Sequence, residues 1–174
     1  MFLNRRHAGL CLPTLGLLLV LMGAAWAQTP QPASPEPAAL YRQAVTLLDQ
    51  AEQQLTAQNL AAALALVKQA NALFTRLQNE CAAALAGRQL SRKDEEQVAI
   101  NEKLSTDAQA QADSLLEAAA AKKKQALEMQ AQTEAAEALW RESRAGFLQA
   151  QTLSIKAAIY ALRNQQIIFR FLAP

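Results

Sequence analysis

Residues 91–126 read SRKDEEQVAINEKLSTDAQAQADSLLEAAAAKKKQA. This stretch contains no proline and no glycine, and it is dominated by alanine, leucine, glutamine, glutamate and lysine, which are good helix formers. Ser91 followed three residues later by Asp94 is typical of a helix start, and the acidic run from Asp94 suits the positive end of a helix dipole. The stretch therefore predicts a long α-helix that begins at Ser91.

The same helical pattern continues as far as Leu172. At 1.5 Å per residue, an unbroken helix over residues 91–172 would be about 120 Å long. Because the helices that could pack against it are much shorter, we expect this segment to bend or turn. The candidate positions are the polar triplet at residues 105–107 and the segment at residues 143–146, which ends in glycine.

Two shorter helical patterns precede this stretch. Apolar residues recur there at steps of three and four, the spacing of one helix face. The first pattern comprises Leu40, Ala44, Leu47 or Leu48, Ala51 and Leu55, and the second comprises Leu66, Ala70, Leu73 or Phe74, and Leu77. Gln58–Asn59 separates the two. Gly87 follows the second, and we predict that it ends a helix with a left-handed φ, where an added Cβ would destabilise the fold by about 1 kcal/mol.

Alanine dominates the predicted interior faces. The runs Ala118–Ala121, Ala135–Ala136 and Ala157–Ala158 place small side chains there, which lets helices approach closely. No sustained alternation of apolar and polar residues indicates a strand. These patterns predict an all-α fold, an elongated helical bundle or antiparallel coiled-coil hairpin of three to four helices. Because so thin a core buries little area per residue, we expect self-association or another protein to add contacts.

The first two helical patterns carry a family resemblance over residues 44–77. Asn59–Leu60 followed by Ala63, Val67 and Ala70, with Leu47 and Ala51 upstream, resembles one tetratricopeptide-type helical hairpin. The later sequence departs from that pattern and contains no second copy, whereas solenoids of this kind generally need three or more repeats. The resemblance implies a helical hairpin at this position and a role in protein binding.

The first 27 residues have the three parts of a secretory signal peptide. A basic start is followed by an apolar run over residues 10–25 and by Ala25-Trp26-Ala27, a small-x-small cleavage pattern. We therefore predict cleavage after Ala27, with retention as a membrane anchor as the alternative. Residues 28–39 contain four prolines and are expected to form an extended spacer, which leaves residues 40–172 as the helical domain.

Removal of residues 1–27 would change the chemistry that the chain carries. Arg5 and Arg6 would leave, so that 15 basic residues face 15 acidic ones, and a neutral chain gives no indication of nucleic-acid binding. His7, the only histidine, would leave as well. Without histidine, clustered cysteines or a glycine-rich phosphate loop, we expect no enzyme activity, no metal or cofactor site and no small-molecule substrate.

Three further features of the sequence are open to interpretation, and the first two have alternatives. Cys81, the single cysteine after cleavage, lies on an apolar stripe and is interpreted either as a small buried residue or as half of an intermolecular disulfide. Lys122–Lys124 is interpreted as a solvated stretch of helix or as a site for anionic lipid. Trp140 and Phe147 lie seven residues apart on one helix face, where we expect core packing.

The C-terminal segment, which we define as residues 167–172 (IIFRFL), is denser in large apolar residues than any other part of the chain after residue 27. We expect Ile168 and Phe171 to pack inward, in phase with the alanines upstream. Phe169 and Leu172 would then face a second subunit or a partner protein, because a thin bundle cannot bury all of these side chains.

Together these observations predict a class of function rather than a specific role. We expect an exported, non-catalytic helical protein, periplasmic or secreted, that binds or scaffolds another protein in the cell envelope. The alternative is an envelope protein that associates with the membrane surface through Lys122–Lys124 and the apolar C-terminal segment.

Overall fold

The computed structural model describes residues 36–129 and 134–173. The predicted signal peptide and residues 28–35 of the predicted spacer lie outside this part of the chain. Within the described ranges the chain is all-α and contains no strand, which confirms the predicted fold class. The helices are α1 (Pro37–Thr56), α2 (Leu60–Glu80), α3 (Ala82–Leu85), α4 (Arg92–Glu128) and α5 (Glu134–Ile168), and a 3₁₀ turn over Arg170–Leu172 follows.

Helices α1 and α2 form a hairpin at the predicted break. Gln58 adopts a left-handed φ of 57°, and Asn59 caps α2 by accepting a hydrogen bond from the backbone N–H of Ala62 at 3.4 Å. Helix α1 begins at Pro37, three residues before the predicted start of the domain. Proline is well suited to this first position because a helix leaves that amide unpaired in any case.

A core of large side chains, which we call the large-residue core, forms where this hairpin packs against the C-terminal half of α5. From the hairpin come Leu40, Tyr41, Ala44, Leu48, Ala51, Ala63, Val67, Ala70, Phe74 and Leu77; from α5 and the residue after it come Ile155, Ile159, Leu162 and Phe169. At its centre the rings of Phe74 and Phe169 stack with their centroids 6.3 Å apart. The periodic apolar residues of α1 and α2 thus supply most of this core.

Polar contacts fix α1 against α5 beside this core. The Arg163 guanidinium donates to Glu52 Oε1 at 3.0 Å and to Asp49 Oδ1 at 2.9 Å. Burial alone would lower the pKa of Arg163, but its hydrogen bonds to Glu52 and Asp49 raise that pKa above the ordinary value. A second link runs from the Tyr41 hydroxyl to the carbonyl oxygen of Gln166 at 3.3 Å.

Helices α4 and α5 pack against each other as an antiparallel hairpin. Helix α4 begins as predicted, with the Ser91 hydroxyl accepting a hydrogen bond from the backbone N–H of Asp94 at 3.2 Å. Small buried residues recur every seven positions along the contact between the two helices. They are Ala112, Ala119 and Ala126 on α4, and Ala136, Ser143, Ala150 and Ala157 on α5. We call this contact the small-residue seam.

Two serine hydroxyls set the register of the seam. Ser105 Oγ donates to the carbonyl oxygen of Ala157 at 2.9 Å, and Ser143 Oγ donates to that of Ala119 at 2.8 Å. These bonds are reciprocal because the two helices share a pattern. Ser105, Gln111, Ala112, Leu115, Ala119 and Ala120 recur as Ser143, Gln149, Ala150, Leu153, Ala157 and Ala158, each 38 positions later. The hairpin is therefore approximately two-fold symmetric along its seam.

Both predicted positions for the bend are wrong. Residues 105–107 and 143–146 lie inside α4 and α5, and their serines bond across the seam instead of ending a helix. Gly146 allows α5 to approach α4 closely, since a Cβ placed on Gly146 would lie 3.0 Å from the Cβ of Ala119. The reversal falls between Glu128 and Glu134, where acidic residues occupy the first turn of α5.

The conformation predicted for Gly87 is also wrong. Gly87 does follow the end of a helix, because α3 stops at Leu85, but its φ lies outside the left-handed range. The Arg88 N–H donates to the Leu85 carbonyl at 3.0 Å and closes the turn. A Cβ on Gly87 would meet nothing within 4 Å. We therefore expect replacement by alanine to be close to neutral.

Candidate interaction surfaces

The expectation that Phe169 faces a partner is wrong. Its side chain is 0% exposed and stacks on Phe74, inside the core formed with α1 and α2. The error arises because helix α5 ends at Ile168, so the helical spacing used to sort the last residues no longer applies at Phe169. Phe169 belongs to the packing of the fold.

The other apolar residues of the C-terminal segment are divided less sharply than predicted. Ile168, Phe171 and Leu172 are each partly buried and pack against the core cluster. Ile167, which the prediction did not place, is buried. Partner contact through Leu172 stays a prediction, because part of the Leu172 side chain remains accessible to solvent.

Cys81 lies in the core cluster near the end of α2. Burial raises the pKa of its thiol, and the neighbouring Glu80 carboxylate raises it further. A thiol held in this way forms little thiolate at neutral pH and reacts slowly. The environment favours the interpretation as a small buried residue, and the intermolecular disulfide stays a prediction.

The lysine run is partly neutralised by neighbouring carboxylates. Lys122 Nζ lies 2.7 Å from Glu142 Oε2 across the seam, and Lys124 Nζ lies 3.9 Å from Glu128 Oε1. The hydrogen bond that Lys122 donates lowers the pKa of Glu142, and the positive charge of Lys122 lowers it further. Two of the three ammonium groups therefore already have a carboxylate partner, which weakens the case for a lipid-binding site.

Large apolar side chains are exposed along the α4/α5 hairpin. Ile100 and Leu104 form one group on the first part of α4. The other group, which we call the distal patch, comprises Leu116, Leu127, Met129, Phe147 and Leu148 on the later part of α4 and the earlier part of α5; of these, Leu116 and Phe147 line a common cavity. Phe147 was expected in the core but is 36% exposed, and Trp140 is half-buried. The prediction for Phe147 is therefore wrong.

Leu148 of the distal patch continues the face of α5 that packs on the α1/α2 hairpin. Leu148 lies seven residues before Ile155 and fourteen before Leu162, both of which are buried. Helices α1 and α2 contain 20 and 21 residues, about 30 Å each, whereas α4 and α5 contain 37 and 35, more than about 50 Å each. The shorter hairpin therefore cannot extend along the whole of α5, and Leu148 is left 58% exposed.

An apolar cavity of about 250 Å³ lies at this edge. Leu64 of α2, Leu116 of α4, and Phe147 and Ile155 of α5 contribute to its lining. The cavity joins the end of the large-residue core to the distal patch.

Other kinds of site find little support in the described residues. They hold no group of three or more histidine, cysteine, aspartate or glutamate side chains that could bind a metal ion. None of their helices has the length and apolar character needed to cross a membrane. Comparisons with protein-family models, with curated proteins and with solved structures each find no match to this chain.

Proposed function

We propose that this protein is a non-catalytic helical scaffold that binds another protein through the distal patch. The observation that carries the proposal is the exposure of five large apolar side chains on the part of the hairpin nearer the join of α4 and α5, which α2 meets at its edge through Leu64. Leu127 is 65% exposed and Leu148 is 58% exposed. Clustered apolar side chains in water favour association, since burying one of them fully is worth about 1.5–3 kcal/mol.

The helices beneath the patch suit it to binding. The small-residue seam holds α4 and α5 close together and uses little of their apolar surface, so the flanking leucines and Phe147 remain free for contact. A rigid pair of helices also presents its side chains with little loss of conformational freedom on binding. Partner helices commonly dock against such faces.

Membrane-surface association is the weaker alternative. It would use the lysine run and the apolar C-terminal segment. Lys122 and Lys124 have carboxylate partners, and Phe169 is buried in the core. The residues that this alternative requires are thus largely engaged within the chain.

Export to the cell envelope is part of the same proposal. It rests on the basic start, apolar run and Ala25-Trp26-Ala27 pattern of the first 27 residues. N-terminal sequencing of the protein isolated from an envelope fraction should begin at Gln28. Protein that still carries its first residues and resists extraction from membranes would argue for a retained anchor.

A pair of variants matched in chemistry tests the binding surface. The distal variant carries Leu116→Gln, Phe147→Gln and Leu148→Gln, and the control carries Ile100→Gln and Leu104→Gln, which alter exposed apolar residues elsewhere on the hairpin. Cross-linking in an extract of the source organism is followed by mass spectrometry, and light scattering gives the mass of the purified protein. Circular dichroism should be the same for all three proteins.

The proposal expects the distal variant, and not the control, to lose the cross-linked species. If purified wild type is larger than a monomer and only the distal variant becomes monomeric, the partner is a second copy of the chain. Equal cross-linking by wild type and the distal variant would refute the proposal. Loss confined to the control would move the surface to Ile100 and Leu104.

A further inference from the structure

A cleft lies at the other end of the α4/α5 hairpin, where the chain enters α4 and leaves α5. Its volume is about 540 Å³, within the range typical of small-molecule sites. It is bounded by the loop after α3, the first turn of α4 and the end of α5 with the 3₁₀ turn. Leu85, Leu90, Ile167, Ile168 and Phe171 give it apolar walls.

The single acidic group of the cleft is already neutralised. Asp94 Oδ1 accepts a hydrogen bond from Arg170 Nη1 at 2.8 Å, and Asp94 Oδ2 accepts one from Ser91 Oγ at 2.9 Å. Both carboxylate oxygens are therefore occupied. The pair of Asp94 and Arg170 contributes no net charge to the cleft.

Arg88 supplies a positive charge that this arrangement does not compensate. Its guanidinium lies 4.1 Å from the centroid of the Phe171 ring, and no described carboxylate lies within ion-pair distance of it. A guanidinium stacked in this way keeps its N–H donors at the edge of the plane, where they remain available. The cleft thus combines apolar walls with one unpaired cation.

We propose that this cleft binds a small amphipathic carboxylate, with the aliphatic part against Leu90 and Phe171 and the carboxylate on Arg88. Arginine matches a carboxylate with two parallel hydrogen bonds, which makes it selective for this group over alcohols and amines. The site is separate from the distal patch, and it adds ligand binding to the scaffold role proposed above.

Octanoate is a suitable probe because it is soluble and carries one carboxylate on a plain aliphatic chain. Binding is followed by the shifts of backbone amide signals in two-dimensional NMR of the full chain. Saturable shifts should cluster at residues 85–94 and 167–172. Octylammonium, which has a similar chain and the opposite charge, should produce no saturable shifts there.

Variants at the rim isolate the charge. Arg88→Gln should weaken octanoate binding about tenfold, because the variant loses the charge-assisted hydrogen bonds to the carboxylate. Gln89→Glu places a negative charge on an exposed lining residue and should also weaken binding, whereas Gln89→Lys should strengthen it. Arg92→Gln is the matched control, because Arg92 is exposed, pairs with Glu96 and lies outside the lining.

The three substituted side chains are exposed at the surface. Clustered shifts with the predicted ranking of the Arg88 and Gln89 variants support the site. Dispersed shifts, or equal affinities for wild type and Arg88→Gln, would overturn it. Equal binding of octylammonium would overturn it as well, because the contact would then be apolar without recognition of the carboxylate.

Discussion

The two halves of α5 pack in contrasting ways. Its C-terminal half meets two other helices, α1 and α2, through large side chains such as Leu162, with Phe169 just beyond its end. Its N-terminal half meets α4 through the small residues Ser143, Gly146 and Ala150. Large side chains fill the space among several helices and become buried themselves. Small side chains bring two helices together and leave the residues beside the seam in water.

This contrast explains why exposed apolar residues remain on the hairpin. Where α4 and α5 pack without a third helix beside them, nothing covers their flanks, so Leu127 and Leu148 stay accessible however well the seam fits. The large-residue core, by comparison, is closed by the chain itself. We therefore expect the large-residue core to contribute most of the stability and the open part of the α4/α5 hairpin to provide most of the binding surface.

The largest effect should come from truncating the large-residue core. Phe169→Ala should lower the free energy of unfolding by about 3–5 kcal/mol, because it removes a fully buried ring and leaves a cavity against Phe74. Phe147→Ala, on the distal patch, should cost about 1 kcal/mol or less. Chemical denaturation of the purified protein measures both. Similar losses for the two variants would remove the proposed contrast.

Overfilling the seam should have the next largest effect. Gly146→Leu should destabilise by about 1–3 kcal/mol, because even a Cβ at this position would approach the Ala119 Cβ to 3.0 Å. The neighbouring Ala145 is exposed, so Ala145→Leu is the control and should be close to neutral. If Gly146→Leu proved as stable as the wild type, the close approach of α4 and α5 would be disproved.

Removing one hydroxyl from the seam should have a smaller effect. Ser143→Ala deletes the hydrogen bond to the Ala119 carbonyl, at a cost of about 0.5–1.5 kcal/mol. Ser114→Ala, at an exposed position on α4, provides the baseline for replacing serine in a helix. Equal unfolding free energies for the two variants would mean that the hydroxyl does not fix the register.

The smallest effect concerns the large-residue core at alkaline pH. Burial raises the pKa of Tyr41 above its ordinary value of 10.0, although the charge of Arg170 opposes the shift. The folded state therefore holds this proton more tightly than the unfolded state. The resulting stability is present below pH 10 and is lost as the pH rises through the higher folded pKa.

The Tyr41→Phe variant lacks this contribution. The unfolding free energy of the variant should therefore fall less than that of the wild type between pH 9 and pH 11. Parallel declines would show that Tyr41 does not titrate differently on folding.

The sequence predicts the helices better than it predicts their arrangement. Local chemistry marks the starts at Asn59 and Ser91, and helical spacing identifies the core faces of α1 and α2, because capping and periodicity depend on nearby residues. The reversal after Glu128 has no glycine or proline to announce it, and the serines at 105 and 143 resemble helix ends when the opposite helix is unknown.

The candidate surfaces were harder to predict, because exposure depends on which helix covers which. Phe147 was expected in the core and Phe169 at a partner contact, yet Phe147 is partly in water and Phe169 is at the centre of the core. A signal for the hairpin does exist in the pattern that recurs 38 residues apart, from Ser105 to Ala120 and from Ser143 to Ala158. No local signal indicates that α1 and α2 are too short to reach Leu148.

Native-state hydrogen exchange, read residue by residue, tests the contrast between the two halves most directly. We expect the slowest amides to lie in α1, α2 and the part of α5 beyond Ile155, where opening requires exposure of the large-residue core. Amides of α4 and α5 beside the distal patch should exchange faster in the isolated protein. Uniform protection along the whole of α5, or slower exchange beside Leu148 than beside Leu162, would contradict the division of the molecule into a self-supporting core and an open binding surface.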